Sequence, residues 1–424
     1  MDSRIHSITA REILDSRGNP TVETSVILHS GYRGTASAPA GASVGKHEAI
    51  EIRDHDEKRY SGMGVLTAVS NVNTVIGPKL RSMDALDQGS IDRTLKELDG
   101  TPNKSKLGTN SVLSVSLATV KAAANNQQIP LYRYINSLFH SRVPTSLDRM
   151  PTPTFNLING GAHGAGNLDF QEFHVTPASN KRFHEALEMG VDAYHKVKQI
   201  LIYRNAVHSV GDEGGFAPNL FTNLDALEVL SEALKNTVFK IGFDIFLGLD
   251  IAASHFKTER GYQIKDRPLA YNPKEFVKYL LDLHAKYRLL ILEDPLDEDD
   301  WESWSMLTKE IGHDVLIVGD DLLATNPERL TKAIETRACS GILAKPNQIG
   351  TLSEYLDVIA QARKNDIKVV VSHRSGETND TVIADIAVAV QSEYVKFGAP
   401  ARGERVEKYN RLLEIEAELF PVQH

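Results

Sequence analysis

Apolar and polar positions follow two different rhythms along this chain, and the change of rhythm divides it. Near the N-terminus, residues 5–10 and 21–29 are rich in β-branched side chains and flank Asp15-Ser-Arg-Gly-Asn-Pro20, a turn composition. They predict paired strands, and a third strand over 32–38 completes a small antiparallel sheet. From 64 to 138 the period is helical, most clearly over 107–124, where many small residues suit close packing. These elements predict an α+β domain over residues 1–140. The proline-interrupted stretch 141–153 follows it.

Beyond that stretch, short apolar runs stop at charged residues. They are Leu247-Gly-Leu-Asp250, Leu290-Ile-Leu-Glu293, Leu316-Ile-Val-Gly-Asp320, Gly341-Ile-Leu-Ala-Lys345 and Val369-Val-Val-Ser-His373-Arg374. Runs of this kind predict buried parallel strands, and helical patterns fill the gaps, for example at 326–335 and 351–360. Repeated βα units with charged groups at the strand ends describe a (β/α) barrel over 146–424, with its active face at those ends. The barrel region opens with Thr154-Phe-Asn-Leu-Ile-Asn159, a strand entering a glycine-rich loop. An alternating strand at 170–175 and a helix over 182–203 follow.

Composition narrows the class. With 424 residues the chain has room for a barrel and a second domain, and a net charge of −9 disfavours nonspecific nucleic-acid binding. A single cysteine, Cys339, rules out an intrachain disulfide framework and fits a reducing cytoplasm. No apolar run approaches the roughly 20 residues of a membrane span, and the first residues carry no signal-like segment.

The chemistry gathers at the strand ends. Asp250, Glu293 and Asp320 would meet at one barrel mouth, where three carboxylates repel one another unless a cation sits among them. An all-oxygen set suits Mg2+ or Mn2+; the alternative is three unrelated acids in salt bridges. Lys345, leaving the core at a strand end, reads either as a desolvated general base or as a lysine that merely reaches solvent. Glu213, framed in Gly211-Asp-Glu-Gly-Gly215, reads as a general acid or as a plain acidic turn. Lys345, His373-Arg374-Ser375 and Lys396 supply positive charge and hydrogen-bond donors for a small, multiply anionic substrate, such as a phosphorylated acid. The segment 39–47, with two glycines, is a mobile loop over a site or a connector. The run Asp297-Glu-Asp-Asp300 reads as a solvated face or a helix start.

Motifs in fixed order along nearly the whole chain give these residues a family resemblance. They include Asp15-Ser-Arg-Gly-Asn-Pro-Thr-Val-Glu23, Asn159-Gly-Gly-Ala-His163, Gln171-Glu-Phe173, Gly211-Asp-Glu-Gly-Gly215, Glu293-Asp-Pro295, Lys345-Pro-Asn-Gln-Ile-Gly-Thr351 and Ser372-His-Arg-Ser-Gly-Glu-Thr378. The chain resembles the enolases, the phosphopyruvate hydratases of glycolysis. The resemblance implies an α/β fold, an enolase-type (β/α)8 barrel preceded by an α+β capping domain. It also implies a lyase that interconverts 2-phosphoglycerate and phosphoenolpyruvate in the cytoplasm. By the same resemblance, Asp250, Glu293 and Asp320 hold one Mg2+, and Ser43 ligates a second. Lys345 is the base, Glu213 supported by Glu172 is the acid, and His373 joins the catalytic group. His163, Gln171, Arg374, Ser375 and Lys396 contact substrate. Homodimers, and in some members octamers, are implied as well, as is a surface or secreted pool in some members. Ala40, Val44, Lys46, Ala162, His255 and Ala344 depart from the family pattern, and none of them is a catalytic group.

Overall fold

The computed structural model describes residues 1–41, 45–164 and 166–421, and the chain forms two compact units. The first comprises Met1–Arg149, Ala344–Lys364 and His373–Gln391; the second comprises Met150–Leu343, Asn365–Ser372 and Ser392–His424.

The first unit is built on an antiparallel sheet, β1 (Ile5–Leu14), β2 (Pro20–Leu28) and β3 (Arg33–Ser37), in that order. Its first turn is closed by Asp15, whose Oδ1 accepts from the backbone N–H of Arg17 and Asn19 at 2.8 and 2.9 Å. The helix Thr109–Gln127 packs on this sheet and is buried along nearly its whole length. A helix enclosed on every side must satisfy its polar side chains internally. Thr119 Oγ1 donates to the Val115 carbonyl, Ser111 Oγ to that of Ala68, and the Thr24 and Ser114 hydroxyls lie 2.7 Å apart.

Two later segments belong to this unit because its buried polar groups receive them. The backbone N–H of Leu352 donates to Ser116 Oγ at 3.0 Å and that of Ser353 to Asp92 Oδ2 at 2.9 Å. These bonds satisfy donors that lack an intrahelical partner at the start of the helix Leu352–Lys364.

In the second unit, eight strands among the described residues close into a barrel. They are β4 (Thr152–Asn159), β5 (Glu172–Pro177), β6 (Ile245–Asp250), β7 (Leu289–Glu293), β8 (Leu316–Gly319), β9 (Gly341–Ala344), β10 (Lys368–Ser372) and β11 (Tyr394–Lys396). They neighbour one another in chain order, and β11 closes on β4. β5 runs antiparallel to both β4 and β6, while β6 with β7, β7 with β8 and β8 with β9 are parallel. The reversal follows from the connections: no α-helix separates β4 from β5, whereas the helices Phe183–Tyr203 and Asn223–Lys235 both fall between β5 and β6. The early part of the barrel therefore departs from strict βα alternation.

The alternation at 170–175 does not mark a wet face and a dry one, because every residue of β5 is buried. Glu172, His174 and Thr176 share its inward face; His174 bonds Glu172, and Thr176 Oγ1 donates to Thr154 Oγ1 on β4. On the other side of the barrel the layer below the rim is apolar, formed by Ile291, Val318, Leu343 and Val370. Asp300, in the acidic run, accepts from the Ser303 N–H and caps the helix Trp301–Ile311. No helix among the described residues is long and apolar enough to cross a membrane.

The close approach of β3 to the helix Thr109–Gln127 depends on Gly34. A Cβ at that position would stand 2.1 Å from the Ala118 carbonyl oxygen and 2.3 Å from the Ala122 nitrogen, both backbone atoms that no rotamer change can move. Gly34→Ala is expected to cost about 3 kcal/mol of stability, read as a lowered midpoint in denaturant unfolding; an unchanged midpoint would refute this packing.

Candidate active site

The register of the strands builds the site. Glu172 pairs with Asp250 and Asp250 with Glu293, so three carboxylates on three adjacent strands occupy one rung. Because β5 is reversed, its first residue reaches the rim that β6 and β7 reach with their last. Lys396, the last residue of β11, enters the same space. Its Nζ donates to Glu293 Oε1 at 2.8 Å and Asp250 Oδ2 at 3.0 Å, and lies 3.2 Å from Glu172 Oε2. These strands are not all neighbours, so the side chains meet across the barrel interior.

Burial dominates the electrostatics here. Burial alone would drive Lys396 toward neutrality, but the carboxylates of Asp250, Glu172, Glu293 and Glu213 outweigh it and hold its pKa well above the ordinary range. The Glu293 carboxyl is pushed well above its usual value, first by burial and then by Asp250 and Asp320, against the pull of Lys396. Glu172 moves the other way. Burial and Glu213 push it up, yet Lys396, His163 and His174 together hold it below the usual carboxylate range. Glu172 is therefore fixed as an anion.

Each oxygen of Glu172 meets a histidine: Oε1 lies 3.1 Å from His163 Nδ1 and Oε2 lies 2.8 Å from His174 Nε2. His163 also stands 3.6 Å from Glu213 Oε1. Burial opposes its charge, but Glu213, Glu172 and Asp250 raise its pKa to about 9. Glu213 sits in a turn that glycine alone permits. Gly214 has φ +86°, and a Cβ on Gly215 would stand 2.2 Å from Asn159 Oδ1. The turn is tied down by Asn156 Nδ2 donating to Glu213 Oε2 at 3.2 Å, Tyr194 Oη donating to the Gly214 carbonyl, and Arg405 donating to the Asp212 carbonyl. Gln171 Nε2 donates to Asp250 Oδ2 at 3.1 Å. Gln171 also borders a cavity of about 240 Å³ whose lining includes Ala162 and His255, two of the departures from the family pattern.

Asp320 follows β8 and lies beside Asp294 and Asp321. Asp294 accepts the backbone N–H of Asp320 at 2.9 Å and of Asp321 at 2.7 Å, fixing the turn that presents Asp320. Its backbone has φ +39°, the left-handed region that favours glycine. Burial, with Asp294 nearby, pushes the Cys339 thiol up to about 12, which leaves it a packing residue.

In the first unit, Lys345 directly follows β9 and is half-buried; His373, Arg374 and Ser375 follow β10 and are buried. Arg374 Nη1 donates to Glu48 Oε2 at 2.7 Å and Asn347 Oδ1 at 3.1 Å, and Nη2 reaches Glu48 Oε1 at 3.4 Å. Glu48 Oε1 also accepts from the Gly45 N–H. Ser43 lies outside the described residues.

Sequence reasoning missed Glu48, Asn156, His174 and Asp294. Asp294 stands next to Glu293, and a polar side chain inside an apolar strand was the available signal for His174. Glu48 and Asn156 carry no periodic or spacing signal.

The His163 shift fixes a pH dependence. Its pKa rises on folding, from 6.5 to about 9, so its stabilising contribution is fully present below the unfolded value and is lost as pH rises through the folded one. The stability difference between metal-free wild type and His163→Gln should therefore shrink between about pH 6 and about pH 10. Unfolding midpoints across that range would measure it, and a constant difference would refute it.

Comparison with known proteins gives the same family from both parts of the chain. The model of the enolase N-terminal domain matches residues 5–135, and that of the enolase C-terminal TIM barrel domain matches residues 148–423. An enolase of Beutenbergia cavernae is 48% identical over 415 residues, covering 98% of this chain and 95% of that protein. The chain belongs to the enolase family, the hydro-lyases of the phosphopyruvate hydratase type.

Proposed function

We propose that the chain catalyses the reversible dehydration of 2-phosphoglycerate to phosphoenolpyruvate in the cytoplasm, with Mg2+ as cofactor. The observation that carries this reading is the crowding of buried carboxylates on one barrel rim. Glu172, Glu213, Asp250 and Glu293 gather there around the cations Lys396 and His163. The carboxylates outnumber these cations, and Glu293 is already driven toward its neutral form. A divalent cation relieves that imbalance, and hard oxygen donors without cysteine suit Mg2+.

Asp250, Glu293 and Asp320 would hold one Mg2+, and Ser43 a second. When bound, Mg2+ supplies positive charge against the negative charge that develops on the substrate carboxylate. Lys345, as a neutral amine, takes the carbon-bound proton next to that carboxylate. Glu213, protonated, gives its proton to the departing hydroxyl, which leaves as water. Glu172 is held as an anion, and this supports assigning the donated proton to Glu213. Lys396 and Gln171 contact the substrate, His163 and His373 line the pocket, and His373 supports catalysis. Arg374 and Ser375 hold the phosphate, with Glu48 and Asn347 fixing the plane of the Arg374 guanidinium. The protein is expected to act as a homodimer or a higher oligomer, which sedimentation would reveal.

Phosphoenolpyruvate formation from 2-phosphoglycerate, followed by ultraviolet absorbance, is expected with Mg2+ and should vanish on chelation. Absence of product from folded, Mg2+-supplied protein would overturn the assignment. The division of roles predicts a second result. Lys345→Ala should abolish exchange of the carbon-bound proton with solvent, whereas Glu213→Gln should block dehydration and leave exchange measurable. Equal loss of exchange in both variants, with substrate still bound, would show that the roles are assigned wrongly.

A further inference from the structure

Two polar side chains behind the acid pair are only half used. Asn156 on β4 and His174 on β5 are opposed residues of the antiparallel pair, and both are fully buried. Opposed side chains in such a pair share one face and lie within contact range. Each spends one polar atom on an acid: Asn156 Nδ2 donates to Glu213, and His174 Nε2 bonds Glu172. His174 Nε2 lies 2.8 Å from a Glu172 carboxylate oxygen, which accepts, so on a neutral ring Nε2 carries the hydrogen and Nδ1 is left as an acceptor. Asn156 Oδ1 is an acceptor too. Among the described residues, neither His174 Nδ1 nor Asn156 Oδ1 has a hydrogen-bond partner.

On its other side His174 is paired with Gly248 of β6. A Cβ on Gly248 would stand 3.3 Å from the Ile291 carbonyl oxygen and 3.4 Å from the His174 Cβ, so β6 runs close against both neighbours at this point. Two buried acceptors facing one interior have one simple common partner, a water molecule, which has two hydrogens to give.

We propose that His174 and Asn156 form a positioning pair for the acid end of the reaction, bridged by one buried water that donates to His174 Nδ1 and Asn156 Oδ1. The bridge closes a chain from Glu172 through His174, water and Asn156 to Glu213, and fixes the two carboxylates relative to each other. Neither residue touches the reacting atoms; both act through Glu172 and Glu213. The proposal rests on the reading of Glu213 as the proton donor. It therefore predicts damage confined to loss of the hydroxyl, with carbon deprotonation spared.

The test uses the full chain with Mg2+ and 2-phosphoglycerate. His174→Phe should lower kcat for dehydration about 10- to 100-fold, the usual cost of losing an orienting partner. KM and the rate of carbon-proton exchange should stay near wild type. His174→Gln, which keeps an N–H donor near the position of Nε2, should recover most of the loss, which a merely space-filling role would not allow. Loss of exchange in step with dehydration, wild-type turnover in His174→Phe, or no rescue by glutamine would each overturn the positioning role. A crystal structure should show water density within about 3.2 Å of both acceptors. If Nδ1 and Oδ1 bond a protein group there instead, the bridge is wrong. Loss of exchange in Glu213→Gln itself would overturn the donor assignment beneath the proposal, a result separable from these.

Discussion

The site depends on one buried ammonium. Lys396 Nζ lies within 3.2 Å of carboxylates from three other strands, and the side chain is almost wholly removed from water. Taking an ammonium and three carboxylates out of water costs far more than any one pair returns, so such an arrangement persists only when several charges share the compensation. Here they do. Asp250, Glu293 and Glu172 occupy one rung of β5, β6 and β7, and β11 delivers the lysine to them. Strand register, more than any loop, sets these distances, and rigid strands are the better place to hold them.

The interior is divided accordingly. Toward β7–β10 the layer below the rim is aliphatic and can pack without hydrogen bonds. Toward β4–β6 it is polar: Thr154 with Thr176, Asn156 with Glu213, and His174 with Glu172. Buried polar groups in a low-dielectric interior are costly when partly satisfied and orienting when fully satisfied. The polar half lies behind the two acids, of which Glu172 is held below the usual carboxylate range by Lys396, His163 and His174.

Much of this was legible in the sequence, for physical reasons that differ by residue. Asp250 and Glu293 end apolar runs, and such a run has to emerge at a barrel rim. The helix Thr109–Gln127 announced itself by period and small side chains, and β1 and β2 by β-branching around the turn at 15–20. Strand direction was not legible. Periodicity says that 170–175 is extended but not which way it runs, and only the reversal puts Glu172 beside Asp250. Burial on both faces hid His174 as well, since alternation within β5 reads like a solvent face when it is the lining of a barrel. Glu48 lies far from Arg374 in sequence, and nothing in its local pattern signals the pair.

The choice of lysine at 396 follows from the same geometry. Its three partners approach one nitrogen from different strands, at 2.8, 3.0 and 3.2 Å. A compact ammonium with three rotatable donors can serve them together. A guanidinium carries a planar fork suited to one carboxylate taken bidentately, and in a space closed by three it would have to displace a strand or leave an acid unpaired. Arg374 shows the contrasting case. It takes one carboxylate, Glu48, through two nitrogens and one amide oxygen, that of Asn347, and the planar fork fits that arrangement. The two cations differ because one has to neutralise a ring of charges and the other has to present a plane.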